Sequence, residues 1–177
     1  MSARAAAPIV EIVLLSLWLG GALLFAAVVA PAAFAVLPSR ALAGALVSRV
    51  LPVVFSAGVL IGALSVILES VARTGAWGRT AAGAVLAIAC AVAQLLVVPR
   101  IDRLRAQISG AVEALAVDDP RRVTFGRLHA VSVGWLGVGM LAAIAALWLA
   151  TRALPSGVRG DARRAPAPAS QSDGGLP

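Results

Sequence analysis

The chain has 177 residues, enough for one compact unit, with 60% hydrophobic residues and a mean hydropathy of +0.96. That apolar share exceeds a soluble domain's and puts part of the surface in lipid. The net charge of +7 is carried by arginine alone, since there is no lysine, and beside such hydropathy it points to lipid phosphates and away from nucleic acid.

Four apolar runs follow in order and predict an all-α integral membrane bundle with spans at about 9–31, 50–68, 80–98 and 130–150. Pro8 suits the first helical position, where its missing N–H costs nothing. A cleavable signal is the rival reading of this first run, with Arg4 as its positive region and Ala33-Phe34-Ala35 as a cleavage site, although the apolar core is long for that role. Pro38-Ser39-Arg40 breaks the first helix, and residues 41–49 read as a short connecting turn of helix. The second span contains Gly58 and Gly62 in a GxxxG pattern, which lets two helices approach closely, within this bundle or between copies. Glu69 and Arg73 stand four apart, the favourable order for a helical ion pair. The third span ends at Pro99.

Residues 100–117 carry Ile101, Leu104, Ile108, Val112 and Leu115 at three- and four-residue steps, with arginines between them, which predicts an amphipathic helix. It either lies on the membrane surface or continues the third span beyond a kink at Pro99. Asp119 then caps the fourth helix with Pro120 at its first position. Residues 1–152 form the transmembrane domain on this reading, and 153–177, rich in Pro, Gly, Ala, Ser and Asp, a disordered tail.

An even number of spans returns the chain to its starting side. With the N-terminal side named A and the opposite side B, Glu11 lies near side A. Pro31, Gln94, Arg100, Asp102, His129 and Ser132 gather toward side B. Glu11 and His129 are then about 25–30 Å apart and cannot form one catalytic pair. Gln94, His129 and Ser132, with Arg100 or Asp102 above them, read either as a polar site for a small solute or proton or as hydrogen bonds between helices. Glu11 suits the positive end of its helix dipole, or pairs with Arg73 or Arg152 on the same side. Trp18, Gly20 and Gly21, with Pro31, Gly58 and Gly62, read as helix packing. The fifteen arginines divide almost evenly between the sides, so charge does not set orientation.

One histidine excludes bis-histidine haem ligation within a chain, and His129 and Met140 are about 16 Å apart along their helix. Cys90 has no partner cysteine, and no phosphate loop or triad is present. No cofactor, metal site or enzymatic activity is expected. The expected company is the bilayer, anionic headgroups held by arginines, and a second copy or another membrane protein, in the plasma (inner) membrane if the source is bacterial.

Trp18-Leu19-Gly20-Gly21 with Phe25, Val29-Ala30-Pro31-Ala32 with Phe34, then Leu37, Gly44 and Pro52, resemble the first two helices of a known family. Pro99-Arg100-Ile101 with Leu104-Arg105, and the segment from Phe125 to Ser132, resemble its later parts. This is the transmembrane protein 205-like group, catalogued as domain of unknown function 4149, and the resemblance covers about residues 14–147. It implies a four-helix membrane protein and no established activity. The copper-resistance D family, which also carries a Trp-x-Gly-Gly motif, is the runner-up, though this chain is poor in soft ligands. The functional expectation is an accessory or scaffold bundle, the alternative a subunit of a small-solute or ion transporter or channel with its polar site near His129.

Overall fold

The computed structural model describes residues 3–73, 75–108 and 111–154, with side chains from residue 6 onward. The expected tail from residue 155 lies outside the described residues. Among the described residues, four long helices make up the fold. The first, α1, covers residues 3–36 as Ala3–Leu24, a π-helical turn Phe25–Val29 and Ala30–Val36. Next come α2 (Arg40–Ala72), α3 (Trp77–Ala106) and α4 (Pro120–Arg152), each long and apolar enough to cross a membrane.

Prolines shape these helices. Pro8 lies inside α1 rather than at its first position, because the helix already begins at Ala3. The alanines before it favour helix, and a proline in the second turn forfeits only one bond, to the Arg4 carbonyl. Pro31 and Pro99 each follow a π-helical turn by two residues, Phe25–Val29 and Ala93–Val97. A proline ring collides with the carbonyl four residues back, and a widened turn removes that collision. Both spans therefore continue past their prolines instead of ending at them.

The expected elements differ from the observed ones in their bounds. Residues 41–49 are the first turns of α2, not a separate connecting piece, and Ser39 caps that helix by accepting a bond from Leu42 N–H at 3.2 Å. The amphipathic stretch 100–117 is helical only to Ala106, as the end of α3. There Gln107 and Ile108 N–H groups bond to carbonyls three residues back, and a 3-10 turn follows at Val112–Ala114. Ser109 and Gly110 in the sequence disfavour a longer helix. Asp119 caps α4 with Pro120 next to it, as expected, its carboxylate accepting from Arg121 N–H at 2.8 Å.

Contacts fall into three layers that fix the direction of each helix. Near side A, Glu11, Glu69 and Arg79 meet, and Leu149 lies beside Gly78. In the middle Trp18 donates its indole N–H to Val54 O at 2.9 Å and packs by Gly58 and Gly139, with Cys90 between them. Toward side B, Phe34, Gly44, Arg105 and Phe125 surround one cavity. α1 and α3 thus run from A to B, and α2 and α4 run back. The helices form a ring in which α1 touches α2 and α4, and α3 packs on both α2 and α4. Only 22–33% of each membrane-length window is buried inside the bundle, so the remaining apolar surface is matched to lipid. The chain is a multi-pass membrane protein.

Candidate functional site

Each helix presents one inward stripe at alternating steps of four and three. The buried members are Glu11, Leu15, Trp18, Ala22 and Phe25 on α1, and Gly58, Gly62, Ser65, Glu69 and Ala72 on α2. On α3 they are Arg79, Gly83, Leu86, Cys90, Ala93 and Val97, and on α4 Ser132, Leu136, Gly139, Ala143, Ala146 and Ala150. This spacing keeps one face toward the partner helices. Gly62 shows how tight the seam is: a Cβ there would stand 2.6 Å from the Gly83 carbonyl oxygen. The GxxxG pair packs inside the bundle. Gly20, Gly21 and Pro31, by contrast, are exposed, and a Cβ at either glycine would meet nothing within 4 Å. Those two glycines belong to the outer face one step out of phase with Trp18, so they are not part of the internal seam.

On side B the stripes diverge and leave a cavity of about 170 Å³. Phe34, Val47, Leu51, Pro52, Val98 and Ile101 form its apolar wall, while Asp102, Arg105, Glu113, His129 and Ser132 supply polar groups. Of the residues expected to gather here, His129, Ser132 and Asp102 line one space. Arg100 does not. It is exposed, and its guanidinium donates to the Leu96 carbonyl of its own helix. Gln94 lies in the π-helical turn outside the cavity lining, with its Oε1 buried and without a hydrogen-bond partner among the described residues. Arg105, one turn beyond Ile101, takes the place expected of Arg100. It donates twice to Gly44 O at 3.3 Å and lies 5.2 Å from the Phe125 ring centroid. Phe125 stacks on His129, with centroids 6.4 Å apart and planes 7° from parallel.

Ser132 is the unusual member of this set. It is fully buried, lines the cavity, and its Oγ has no hydrogen-bond partner among the described residues. A buried hydroxyl left unpaired is unfavourable by about 1–3 kcal/mol. The cavity therefore combines an apolar wall, an unused hydroxyl and two exposed carboxylates, Asp102 and Glu113. Such a space suits a small molecule with an apolar body and a hydrogen-bonding head. Just outside it, Asp119 is held below the usual carboxylate range, first by the side-chain hydrogen bond from Arg121 and then by Arg121's backbone N–H.

On side A, Glu11 pairs with neither Arg73 nor Arg152. Its partner is Arg79, whose Nε donates to Glu11 Oε2 at 2.9 Å and whose Nη2 reaches the same oxygen. The same Nη2 meets Glu69 Oε1 at 2.5 Å. Glu69 thus forms a salt bridge with Arg79, while Arg73 ends α2 in the left-handed conformation and donates its backbone N–H to Glu69 O. Arg152 lies over the Trp148 ring, 3.6 Å from its centroid. The three charged residues join three helices. The sequence suggests Arg73 or Arg152 for Glu11 and Arg73 for Glu69, and does not connect either to Arg79. The signal that places both was their phase in the inward stripes. Among the described residues no three His, Cys, Asp or Glu side chains are grouped to hold a metal ion.

A family model described as "Domain of unknown function (DUF4149)" matches residues 13–109. This covers α1 from residue 13 onward, α2 and α3, including the Gly44 and Arg105 side of the cavity, and not Glu11 or α4. Neither the curated proteins nor the solved structures contain a match.

Proposed function

Since this chain belongs to the DUF4149 family, whose description assigns no activity, we propose that it is an accessory bundle that binds a small amphiphilic solute at its side-B mouth, as a subunit of a transport system. The observation that carries this reading is the cavity of about 170 Å³ with the buried, unpartnered Ser132 hydroxyl in its lining. An apolar wall favours the body of such a molecule, at about 25 cal/mol per Å² of apolar surface removed from water. The head would find Ser132 Oγ inside and Asp102 and Glu113 at the rim, while Arg105 is already engaged by Gly44 O and Phe125. That charge balance favours an amine or another hydrogen-bond-donating head over a carboxylate.

The test is thermal unfolding of the full chain in lipid nanodiscs with short-chain amines, alcohols and carboxylates of equal length. The amines are expected to raise the melting temperature most, and Val47→Trp, which fills the cavity, to abolish the shift. An equal shift in Val47→Trp, or none with any of the three, sinks the reading and leaves the bundle as a scaffold held by its packing seam.

A further inference from the structure

We propose that the end of α3 beyond its π-helical turn is a hinged gate, which Arg105 latches shut between an outer vestibule and the side-B cavity. The role of the gate in admitting a ligand rests on the function proposed above, but its motion does not.

The two halves of the chain correspond to one another. α1 and α3 both run from A to B, α2 and α4 both run back, and α3 stands across the ring from α1. A half-turn about the membrane normal therefore carries α1 and α2 onto α3 and α4. The inward stripe of α1, from Glu11 to Phe25, falls on that of α3, from Arg79 to Ala93, at a constant offset of 68 residues. Pro31 falls on Pro99, and the π-helical turn Phe25–Val29 on Ala93–Val97. The stripe of α2 from Phe55 to Glu69 falls on that of α4 from Leu136 to Ala150 at a second constant offset, which takes Gly58 to Gly139. A Cβ on either glycine would meet Trp18 and Cys90, so the two lie at one depth. The same offset pairs Gly44 with Phe125, Ser48 with His129 and Leu51 with Ser132, and all six line the side-B cavity. The cavity thus lies on the axis between the halves.

Both halves also bend at the same place. In each π-helical turn an N–H bonds to the carbonyl five residues back, Ala30 to Phe25 and Val98 to Ala93. The proline that follows donates no backbone bond. Helices bend where their ladder is interrupted in this way. Packing stops at the same point. α3 is buried at Ala93 and Val97, whereas no residue from Val98 to Ala106 is buried. Beyond the turns, Phe34 of α1 and Asp102 of α3 line the cavity from equivalent positions.

A latch holds one of these two arms. A second concavity, of about 150 Å³, lies toward the side-B surface and is lined by Arg40, Ala41 and Val112. It shares Gly44, Arg105, Glu113 and Phe125 with the cavity, so the Arg105 side chain stands between the two spaces. Arg105 donates twice to Gly44 O at 3.3 Å and lies over the Phe125 ring. It ties an equivalent pair together across the axis. A Cβ on Gly44 would stand 3.0 Å from Arg105 Nη2, so glycine is what lets the guanidinium seat. The equivalent of Arg105 in the first half is Leu37, which has no donor to form a second latch. Bonds to a neutral carbonyl are weaker than the ion pairs that close side A. Released from Gly44, the arm swings about Ala93–Val97, the two spaces join, and a path opens from the side-B surface to Ser132 Oγ.

The test is the distance between spin labels at Ala45→Cys on α2 and Arg103→Cys on the α3 arm, both exposed positions, with the full chain in nanodiscs. Cys90 is 0% exposed and should stay unlabelled. Two distance populations are expected, against one for a control pair before the turn, Leu60→Cys with Ile88→Cys. Adding Arg105→Ala is expected to enrich the longer population about fivefold, the equivalent of one net hydrogen bond. Pro99→Ala, which restores the missing donor, should deplete it. A second measurement reads the path itself: Ser132→Cys should react with a charged methanethiosulfonate reagent, and faster once Arg105→Ala is added. A single distance population for the 45–103 pair overturns the proposal. So does a distribution unaltered by Arg105→Ala or by Pro99→Ala, or an equal reaction rate with and without Arg105. Neither measurement uses an amphiphile, so a chain that gates but takes up no amine loses only the function proposed above.

Discussion

The inward stripes keep one phase across the whole bundle, yet they finish differently on the two sides. On side A they end in Glu11, Glu69 and Arg79, and the three side chains close the layer on one another. On side B the stripe of α4 continues through Ser132 to His129, and the helices separate around a cavity. The charged residues are equally at hand there, but among the described residues none meets an opposite charge on another helix. Arg100 bonds to its own helix, Arg121 to Asp119 two residues earlier, and Arg105 reaches across to α2 only for the neutral carbonyl of Gly44. Opposite charges on different helices draw the helices together, whereas charges without such a partner leave the space between helices unfilled. That difference separates a clamp from a mouth.

Removing the two arginines should show it most strongly. Arg79→Ala leaves two carboxylates buried without their cation, and breaking such a pair by deleting one partner typically costs about 3–5 kcal/mol. Arg105→Ala loses two long hydrogen bonds and a ring contact at a half-buried site, about 1 kcal/mol. Unfolding of both variants in the same detergent compares the two ends directly. If Arg105→Ala loses as much stability as Arg79→Ala, the mouth is also a clamp and the comparison fails.

The glycines sharpen the same contrast along the length of the bundle. Gly62→Ala would force a Cβ to 2.6 Å from Gly83 O and 2.7 Å from Ala87 N, both backbone atoms. Overpacking of that kind costs about 1–3 kcal/mol. Gly20→Ala and Gly137→Ala meet nothing within 4 Å and should leave the melting temperature of the monomer unchanged or raise it, since alanine favours a helix interior over glycine by up to about 1 kcal/mol. A loss of stability at Gly20 would instead place a second copy or a partner helix on that face.

Hydropathy made the four spans and their order legible, because lipid forces long uninterrupted apolar helices. Capping chemistry located Asp119, while the cap at Ser39 reads only as part of a break. The end of α1 was legible as well, since Pro38-Ser39-Arg40 marks the break and the helix stops at Val36, whereas the end of α3 stays open between a stop at Pro99 and a continuation past it, which a π-helical turn allows. Depth alone brought His129, Ser132 and Asp102 to one end, but it does not fix direction around a helix axis. Hence Arg100 was expected where Arg105 stands, and Gly20 and Gly21 were grouped with the buried Trp18. The clamp was missed for a related reason. Arg79 sits beside a connection, where arginines usually face headgroups, and only its four-and-three spacing from Gly83 and Leu86 marks it as inward.

Ser132 tests whether the mouth is built for a ligand or is a packing defect. Its hydroxyl makes no bond among the described residues, so Ser132→Ala should leave stability unchanged or raise it, by up to about 1 kcal/mol. The same variant should weaken amine-headed amphiphiles by about tenfold, the equivalent of one hydrogen bond of about 1.4 kcal/mol. Unchanged affinity together with unchanged stability would reduce the hydroxyl to a bystander.

The smallest effect belongs to the charge pair that is most local of all. Asp119 caps α4 and is bonded by the side chain and backbone of Arg121. These bonds hold its carboxyl below the usual range, so the folded chain binds the proton less readily than the unfolded chain. By linkage, the cap's contribution is present above the ordinary aspartate value of about 3.9 and is lost as the pH falls through the lower folded value. Comparing acid-side melting profiles of wild-type and Asp119→Asn protein isolates the cap, and the wild-type profile should be the steeper below about pH 4. If the two profiles coincide there, the exposed pair adds nothing, and only charges that bridge helices matter to this fold.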